Sequence, residues 1–485
     1  MLCSLPLNLI FCTFAWVFTT VNRKYRILDG GLTGRKLKQT DMHNRDNFTF
    51  LTSAPVHKVI YTMAVPTIIS MLVTSVYNIV TTFYVGRIST QATAAVGIAF
   101  PIMSIIQAVG FTFGQGSGNY ISRELGAQRH DNASRMASTG FFSAIITGVV
   151  GCVVGLFLLE PIALLLGSTP TILPYANRYL AFIFMAMPFM CGALCLNNQM
   201  RFQGNAAYAM FGILTGAIIN VVLAPILIFV FDMGITGAGI STFVGEACSM
   251  FVLLLMTHKG GSIRIHFNNF TPKASMFREI LAGGTPSFTR QGMASIGVAL
   301  LNVAAGRFGD AAIAGMSIVG RVTFVIFAAV IGLGQGFQPM CGFCYGAHLY
   351  ARVREGYWFI VKQGTAFLLV CVLLGFLFSA DIIAVFRHDP AVIAVGRVAL
   401  RWQLVTLPLG AVVMYTNMMM QTIRKPWQAN ILAASRNGLF FIPLIIILPH
   451  FLGLQGVEMC QACADFLSFL LAVPIAINGF SALKD

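Results

Sequence analysis

The sequence contains few charged residues for its length. Only 10% of its 485 residues are Asp, Glu, Lys or Arg, whereas 57% are hydrophobic, and 16 acidic residues stand against 31 basic ones. An average soluble protein has about 25% charged residues, so this composition excludes an ordinary soluble fold. Apolar runs of about 20 residues recur along the chain, the length that spans a bilayer as a helix. They lack the alternation of barrel strands, so we predict a polytopic helical membrane protein.

Sequence motifs of enzymes and metal sites are also missing. The chain contains no HExxH, GxSxG, P-loop or EF-hand pattern. Two CxxC spacings, Cys341–Cys344 and Cys460–Cys463, lie in or at the end of apolar runs without histidine or basic neighbours. We interpret these cysteines as small buried residues rather than a metal or redox site. No basic tract contains interleaved aromatics, so nucleic acid is not expected as a partner. The sequence therefore predicts no enzyme, no metal site and no organic cofactor.

The chain contains an internal repeat. Over residues 66–127, 14 of 62 positions are identical to those 220 residues later. At a shift of 219, Glu246 aligns with Asp465. The longest repeated pieces are Gly114-Gln115-Gly116 with Gly334-Gln335-Gly336, and Gly126-Ala127 with Gly346-Ala347. A duplicated unit predicts that the functional site lies between the two copies.

The apolar runs predict six helices in each copy. The first copy gives 58–84, 92–121, 132–158, 172–200, 206–231 and 238–258, and the second gives 277–306, 311–342, 353–380, 391–422, 427–450 and 454–479. The predicted organisation is an N-terminal repeat at 42–258, a cytoplasmic linker at 259–275 and a C-terminal repeat at 276–485. Residues 1–41 belong to neither repeat. They are either an extra anchor helix or translated upstream sequence that is absent from the mature protein, and the position of Met42 favours the second.

The distribution of Lys and Arg predicts the orientation. Twelve follow even-numbered helices and five follow odd-numbered ones, which places the even side and both termini of the core in the cytoplasm. The location is then the inner (plasma) membrane, with several passes through the lipid bilayer. Because each copy has an even number of helices, both copies insert the same way up. The predicted fold class is an all-α integral membrane protein with twelve transmembrane helices, as two parallel six-helix repeats around a central cavity.

Several short motifs follow one another in a recognisable order. They are Tyr77-Asn78 with Thr81 and Gly86-Arg87, Ala94-Ala95 with Pro101, Ser122 with Gly126-Ala127, Arg201 with Gly204, Asn220 with Ala224-Pro225, and Gly234 with Gly237. On these motifs, residues 55–480 resemble the multidrug and toxic compound extrusion (MATE) family. The resemblance implies a monomeric antiporter, driven by Na⁺ or H⁺, that exports small amphipathic, cationic organic compounds by alternating access. The alternative is a flippase or exporter of a lipid-linked or other native metabolite within the same superfamily.

The resemblance also shows which residues are unusual here. The family often has Asp at the positions of Thr81 and Ala224, where these carboxylates serve as cation or proton sites. An ionisable group inside a membrane is costly and is a functional candidate by default. We therefore predict that Glu246 replaces the missing acids, and that Asp465 either serves the second half or pairs with Arg290. The predicted ion-coupling set is Glu246, Asp465, Asn78, Asn220 and Thr242.

Polar residues in the middle of other predicted helices are candidates for substrate binding. Arg290 is either a counter-ion for a membrane carboxylate or a ligand for an anionic substrate group. The two glutamines of the repeated Gly-Gln-Gly are also compatible with helix packing, and the two asparagines with hydrogen bonds between helices. The predicted substrate-binding set is Arg290, Gln291, Gln115, Gln335, Asn197 and Asn417.

Overall fold

A computed structural model describes residues 47–259 and 263–483, except for the side chains of Asn78, Ile79 and Lys259. The predicted extension at residues 1–41 lies outside this part of the chain. Twelve long helices are present: α1 (Val56–Gly86), α2 (Thr90–Gly126), α3 (His130–Phe157), α4 (Leu173–Phe202), α5 (Ala206–Val230), α6 (Gly234–Lys259), α7 (Ala274–Gly306), α8 (Asp310–Gly346), α9 (Tyr350–Leu377), α10 (Pro390–Thr422), α11 (Pro426–Leu452) and α12 (Leu454–Ser481).

Eleven of the described helices are long and apolar enough to cross a membrane. The remaining one, α7, has Arg290 and Gln291 near its middle, and these polar residues lower its hydropathy. The twelve helices agree with the predicted fold class of two six-helix repeats, α1–α6 and α7–α12. Each predicted helix is present. The largest differences are at α2 and α8, which continue for one more turn past their predicted ends, and at α6, which begins one turn earlier than predicted.

Local sequence explains several helix boundaries. Ser89 precedes α2, and its hydroxyl accepts a hydrogen bond of 3.0 Å from the backbone N–H of Ala92. Asp389 caps α10 in the same way, followed by Pro390 at the first helical position, where proline is well tolerated. Two helices contain an inserted π-helical turn, Ile226–Val230 in α5 and Ser435–Leu439 in α11. The turns lie at different depths, so the two halves differ here.

The two halves otherwise repeat each other closely. In the first half α4 packs against α2, α3 and α6, and in the second half α10 packs against α8, α9 and α12. Asn197 Nδ2 donates to the Ala209 carbonyl at 2.9 Å, and 220 residues later Asn417 Nδ2 donates to the Ala429 carbonyl at 2.6 Å. These matched hydrogen bonds show that residues of α5 correspond to residues of α11 at a sequence shift of 220.

Helices of opposite halves meet mainly in two crossed pairs, α2 with α7 and α1 with α8, and α2 also packs against α8. The pairs approach closely through glycine: a Cβ added at Gly116 would overlap the Ile280 carbonyl oxygen, and one added at Gly284 would overlap the Thr112 carbonyl oxygen. Farther along the same helices, a Cβ added at Gly292 would meet no atom within 4 Å. The contact between the halves is therefore tightest toward one end of the molecule.

We call this the closed end, and it contains the C-terminal ends of α2 and α8. The backbone of α2 there touches Gly346, and the backbone of α8 touches Gly126. Glu279 of α7 forms ion pairs with Arg123 of α2, at 3.2 Å, and with Arg424 after α10. Polar and backbone contacts together hold the halves against each other at this end.

Candidate functional site

A small cavity lies within the first half, between α1, α2, α4, α5 and α6. Its volume is about 60 Å³. That is enough for a few water molecules or an ion with part of its hydration shell, but not for an organic molecule. The polar residues that line it are Thr74, Tyr77, Gln107, Asn220, Thr242, Glu246 and Ser249.

A chain of hydrogen bonds fixes one wall of this cavity. Asn220 Oδ1 accepts from Thr81 Oγ1 at 3.2 Å, and Asn220 Nδ2 donates to Thr242 Oγ1 at 3.2 Å. All three residues are buried. The structure thus brings together Glu246, Asn220 and Thr242 of the predicted coupling set. The side chain of the fourth first-half member, Asn78, lies outside the described residues.

Glu246 is the carboxylate of this cavity. It takes part in none of the ion pairs found in the described part of the chain. Its pairing with Arg290, one of the possibilities from the sequence, is not observed. A charged carboxylate inside a membrane protein needs a proton, a cation or a positively charged side chain close by. No such side chain pairs with Glu246 in residues 47–259 and 263–483, so its surroundings are compatible with a proton or a cation as the neutralising partner.

Asp465, the counterpart of Glu246 in the repeat, has a different environment. Arg436 of α11 donates to it twice, from Nε at 2.7 Å and from a second nitrogen at 3.2 Å, and Gln461 donates at 2.8 Å. The Arg436 guanidinium also lies 3.9 Å from the centre of the Phe327 ring. The sequence-based pairing of Asp465 with Arg290 is therefore wrong. Arg436 belongs to the inserted π-helical turn of α11, so the ion pair with Asp465 forms at this turn.

The internal repeat relates the cavity beside Glu246 to the ion pair between Asp465 and Arg436. The shift of 220 that superposes Asn197 on Asn417 and Ala209 on Ala429 places Gly216 at the position of Arg436. Gly216 lines the cavity beside Glu246. In the first half, the cavity therefore occupies the place where the second half has a guanidinium group.

A second group of polar side chains surrounds two contacts between the halves, Gln291 with Gln107 and Arg201 with Gln335. Arg290 Nη1 donates to Asn417 Oδ1 at 3.3 Å, and Gln291 Nε2 donates to Gln107 Oε1 at 3.5 Å. Arg201 donates to Gln335 Oε1 and, at 2.6 Å, to Asn198 Oδ1. These contacts involve four of the six predicted substrate-binding residues, Arg290, Gln291, Gln335 and Asn417.

The other two predicted substrate-binding residues have different surroundings. Asn197 donates to the Ala209 carbonyl and so joins α4 to α5, while Gln115 is buried and its Oε1 has no hydrogen-bond partner among the described atoms. Sequence reasoning missed Gln107, which lines the Glu246 cavity and also contacts Gln291 in the other half. The position of this glutamine in the middle of an apolar predicted helix could have identified it as a candidate.

Comparison with known proteins identifies relatives. The MatE family model matches residues 66–226 and again 286–447. The multidrug export protein MepA of Staphylococcus saprophyticus subsp. saprophyticus is 25% identical over 428 residues, which cover 88% of this chain and 94% of MepA. A solved structure of a MOP superfamily transporter from Pyrococcus furiosus superposes with a TM-score of 0.85 at 23% identity. The match covers 90% of this chain and 99% of that transporter, which is described as having a binding pocket of reversed polarity. An outward-facing multidrug resistance MATE transporter superposes with a TM-score of 0.84 at 24% identity, with the same coverage.

Proposed function

The chain belongs to the MatE family of multidrug efflux transporters, and from this premise we propose that it is a cation-coupled antiporter that exports small amphipathic organic compounds. The observation that supports coupling is the unpaired Glu246 beside a cavity of about 60 Å³. The equivalent acid of the second half, Asp465, already has a permanent cation in Arg436. The first half then holds the exchangeable cation, Na⁺ or H⁺, and the second half holds a fixed one.

Coupling requires that the cation and the substrate favour different conformations. Gln107 is suited to communicate between them, because it lines the Glu246 cavity and accepts a hydrogen bond from Gln291 of the other half. A cation that draws the Gln107 side chain toward Glu246 would weaken this bond between the halves. Substrate binding near Gln291 would instead strengthen this bond between the halves. The cation and the substrate would then favour different conformations, so that binding of one promotes release of the other.

The crossed helix pairs support alternating access. We propose that the closed end faces the cytoplasm, as the Lys and Arg distribution predicts, and that the conformation is outward-facing. Separation of α2 from α7 and of α1 from α8 at this end would open the site to the cytoplasm. Both halves of the site belong to one chain, so a monomer would suffice. The cell membrane is the corresponding location.

Purified protein in liposomes tests this function directly. The readout is uptake of two fluorescent amphiphiles, the cation ethidium and the anion 8-anilinonaphthalene-1-sulfonate, under an imposed Na⁺ or pH gradient. We expect at least one of the two compounds to move in response to one of the gradients. The substitution Glu246→Gln removes the titratable, cation-binding oxygen and should reduce uptake to the level seen without a gradient. Folding, judged by size-exclusion chromatography, should be retained.

The matched control is Glu160→Gln, which removes an exposed carboxylate from the same half and should leave uptake unchanged. If Glu246→Gln retained its ion dependence while Asp465→Asn lost it, the coupling site would belong to the second half. Absence of gradient-driven uptake for both compounds with the unsubstituted protein would count against the antiporter itself.

A further inference from the structure

Two buried or half-buried arginines near the contact between the halves have no acidic partner in the described part of the chain. Arg201 is only 3% exposed, and its two hydrogen-bond partners, Gln335 and Asn198, are neutral amides. Its Nε has no partner at all among the described atoms. Arg290 donates to the neutral Asn417 only.

Two other half-buried arginines in the described part of the chain have acidic partners. Arg123 pairs with Glu279, and Arg436 pairs with Asp465. Breaking a buried ion pair by removing one partner is strongly unfavourable, because it leaves an uncompensated charge in a medium of low polarity. Arg201 and Arg290 each carry such an uncompensated charge. The site near the contact between the halves therefore has an excess of positive charge that a bound anion would neutralise.

The surrounding groups can also bind an anion. A guanidinium has five N–H donors, and Arg290 uses one of them in a bond at the long distance of 3.3 Å. The remaining donors match the planar oxygens of a carboxylate or the oxygens of a phosphate. The amide of Gln291, next to Arg290 in sequence, is half-buried and has one N–H left besides the one that it donates to Gln107.

The two arginines are also arranged so that the site persists when the halves move. Arg201 belongs to α4 of the first half, and its partner Gln335 belongs to α8 of the second half. The proposed separation of the halves at the closed end would break this bond and expose Arg201 to the opposite opening. Arg290 is half-buried in the present conformation, and Arg201 would become accessible in the alternative one.

Resting on the proposed export function, we infer that the transported compound contains an anionic group, a carboxylate or a phosphate, which binds to Arg290 with Arg201 as a second positive charge. This replaces the cationic substrate that the family resemblance implied. The driving cation at Glu246 and the substrate anion then occupy separate sites. They do not compete for the same atoms, and they exchange because they favour opposite conformations.

Equilibrium binding to purified protein in nanodiscs tests this inference. The probes share one ring system and differ in charge: 2-naphthoate, the neutral 2-naphthamide and the cation 2-naphthylmethylammonium. We expect 2-naphthoate to bind about tenfold more tightly than 2-naphthamide, the gain typical of a hydrogen bond to a charged group. The substitution Arg290→Gln should abolish this difference, and Arg290→Lys, which keeps the charge, should restore part of it.

The control is Arg307→Gln, which removes an exposed positive charge at the end of the same helix and should leave the preference unchanged. Circular dichroism and size-exclusion profiles establish that each variant is folded. Equal binding of 2-naphthoate and 2-naphthamide by the unsubstituted protein would overturn the inference, as would a preference that survives Arg290→Gln. Tightest binding of the ammonium probe would also overturn it while leaving the export function intact.

A second pair of probes distinguishes a soluble organic acid from an anionic lipid headgroup. Dihexanoylphosphatidylglycerol is anionic and dihexanoylphosphatidylcholine is zwitterionic, and both are short enough to dissolve. Preference for the phosphatidylglycerol that depends on Arg290 would support the same anion site with a lipid as its ligand. Anion binding without gradient-driven uptake in liposomes would support the site and count against the proposed exporter.

Discussion

Glu246 and Asp465 occupy equivalent positions in the two halves, yet only Asp465 has an arginine beside it. The difference arises from one exchange in the neighbouring helix, Gly216 in α5 against Arg436 in α11. A glycine leaves space for water or an ion, whereas the arginine fills that space with its own charge. The chemistry of the two carboxylates should therefore differ in a measurable way.

The stability of two substitutions tests this difference at the residue scale. Asp465→Asn leaves Arg436 without its carboxylate in a buried position and should destabilise the protein by about 3 kcal/mol. Glu246→Gln removes a charge that has no protein partner and should change stability little or increase it. Thermal unfolding in detergent measures both. The double variant Asp465→Asn with Arg436→Gln should recover much of the loss, and failure to recover would contradict a direct pairing.

At the scale of the helices, the glycines of α2 and α7 set how closely the halves approach. Gly284 faces the Thr112 carbonyl so tightly that no Cβ fits, while Gly292, two turns later on the same helix, faces open space. Position along α7 therefore determines whether the same substitution disturbs a contact.

The pair Gly284→Ala and Gly292→Ala tests this packing. Gly284→Ala should lower stability by about 1–3 kcal/mol, because the added methyl group forces the two backbones apart. Gly292→Ala should be neutral or stabilising by up to about 1 kcal/mol, since alanine favours a helix. Thermal unfolding again provides the measurement. Equal losses for both variants would show that the effect is not specific to the contact between α2 and α7.

The sequence predicted all twelve helices and the repeat because apolar length and paired glycines are visible without coordinates. It did not predict the partner of Asp465. Arg436 lies within the Ser435–Leu439 π-helical turn, where the regular helical repeat that assigns side chains to a face is interrupted. The first-half cavity could be located through Glu246, Asn220 and Thr242, whereas the role of Gln107 depends on which helix face meets the other half.

At the scale of the whole molecule, the two halves must separate at the closed end during transport. Thr422 Oγ1 of α10 donates to Asn119 Oδ1 of α2 at 2.8 Å, so these two positions lie next to each other across the halves. A disulfide between cysteines introduced at these positions would hold the closed end together. It should stop uptake into liposomes while leaving binding from the open end intact.

Reduction of this disulfide should restore transport, which separates the effect of the cross-link from that of the two substitutions. Each single cysteine variant serves as a control and should transport under oxidising conditions. Unimpaired transport by a fully cross-linked sample would show that the halves do not move apart at this end.

The ion pair between Arg436 and Asp465 has a consequence for the energetics of a complete transport cycle. Because one of two equivalent sites is filled by the chain itself, the proposed mechanism moves one cation per turnover. In the absence of a membrane potential, a tenfold gradient of that cation can sustain at most a tenfold accumulation of a neutral compound. With an anionic compound leaving as the cation enters, each turnover transfers two charges in the same electrical direction. The membrane potential then contributes about 2.3 kcal/mol per charge for each 100 mV. A protein with this stoichiometry is electrogenic, and its export capacity depends on voltage more than on the ion gradient alone.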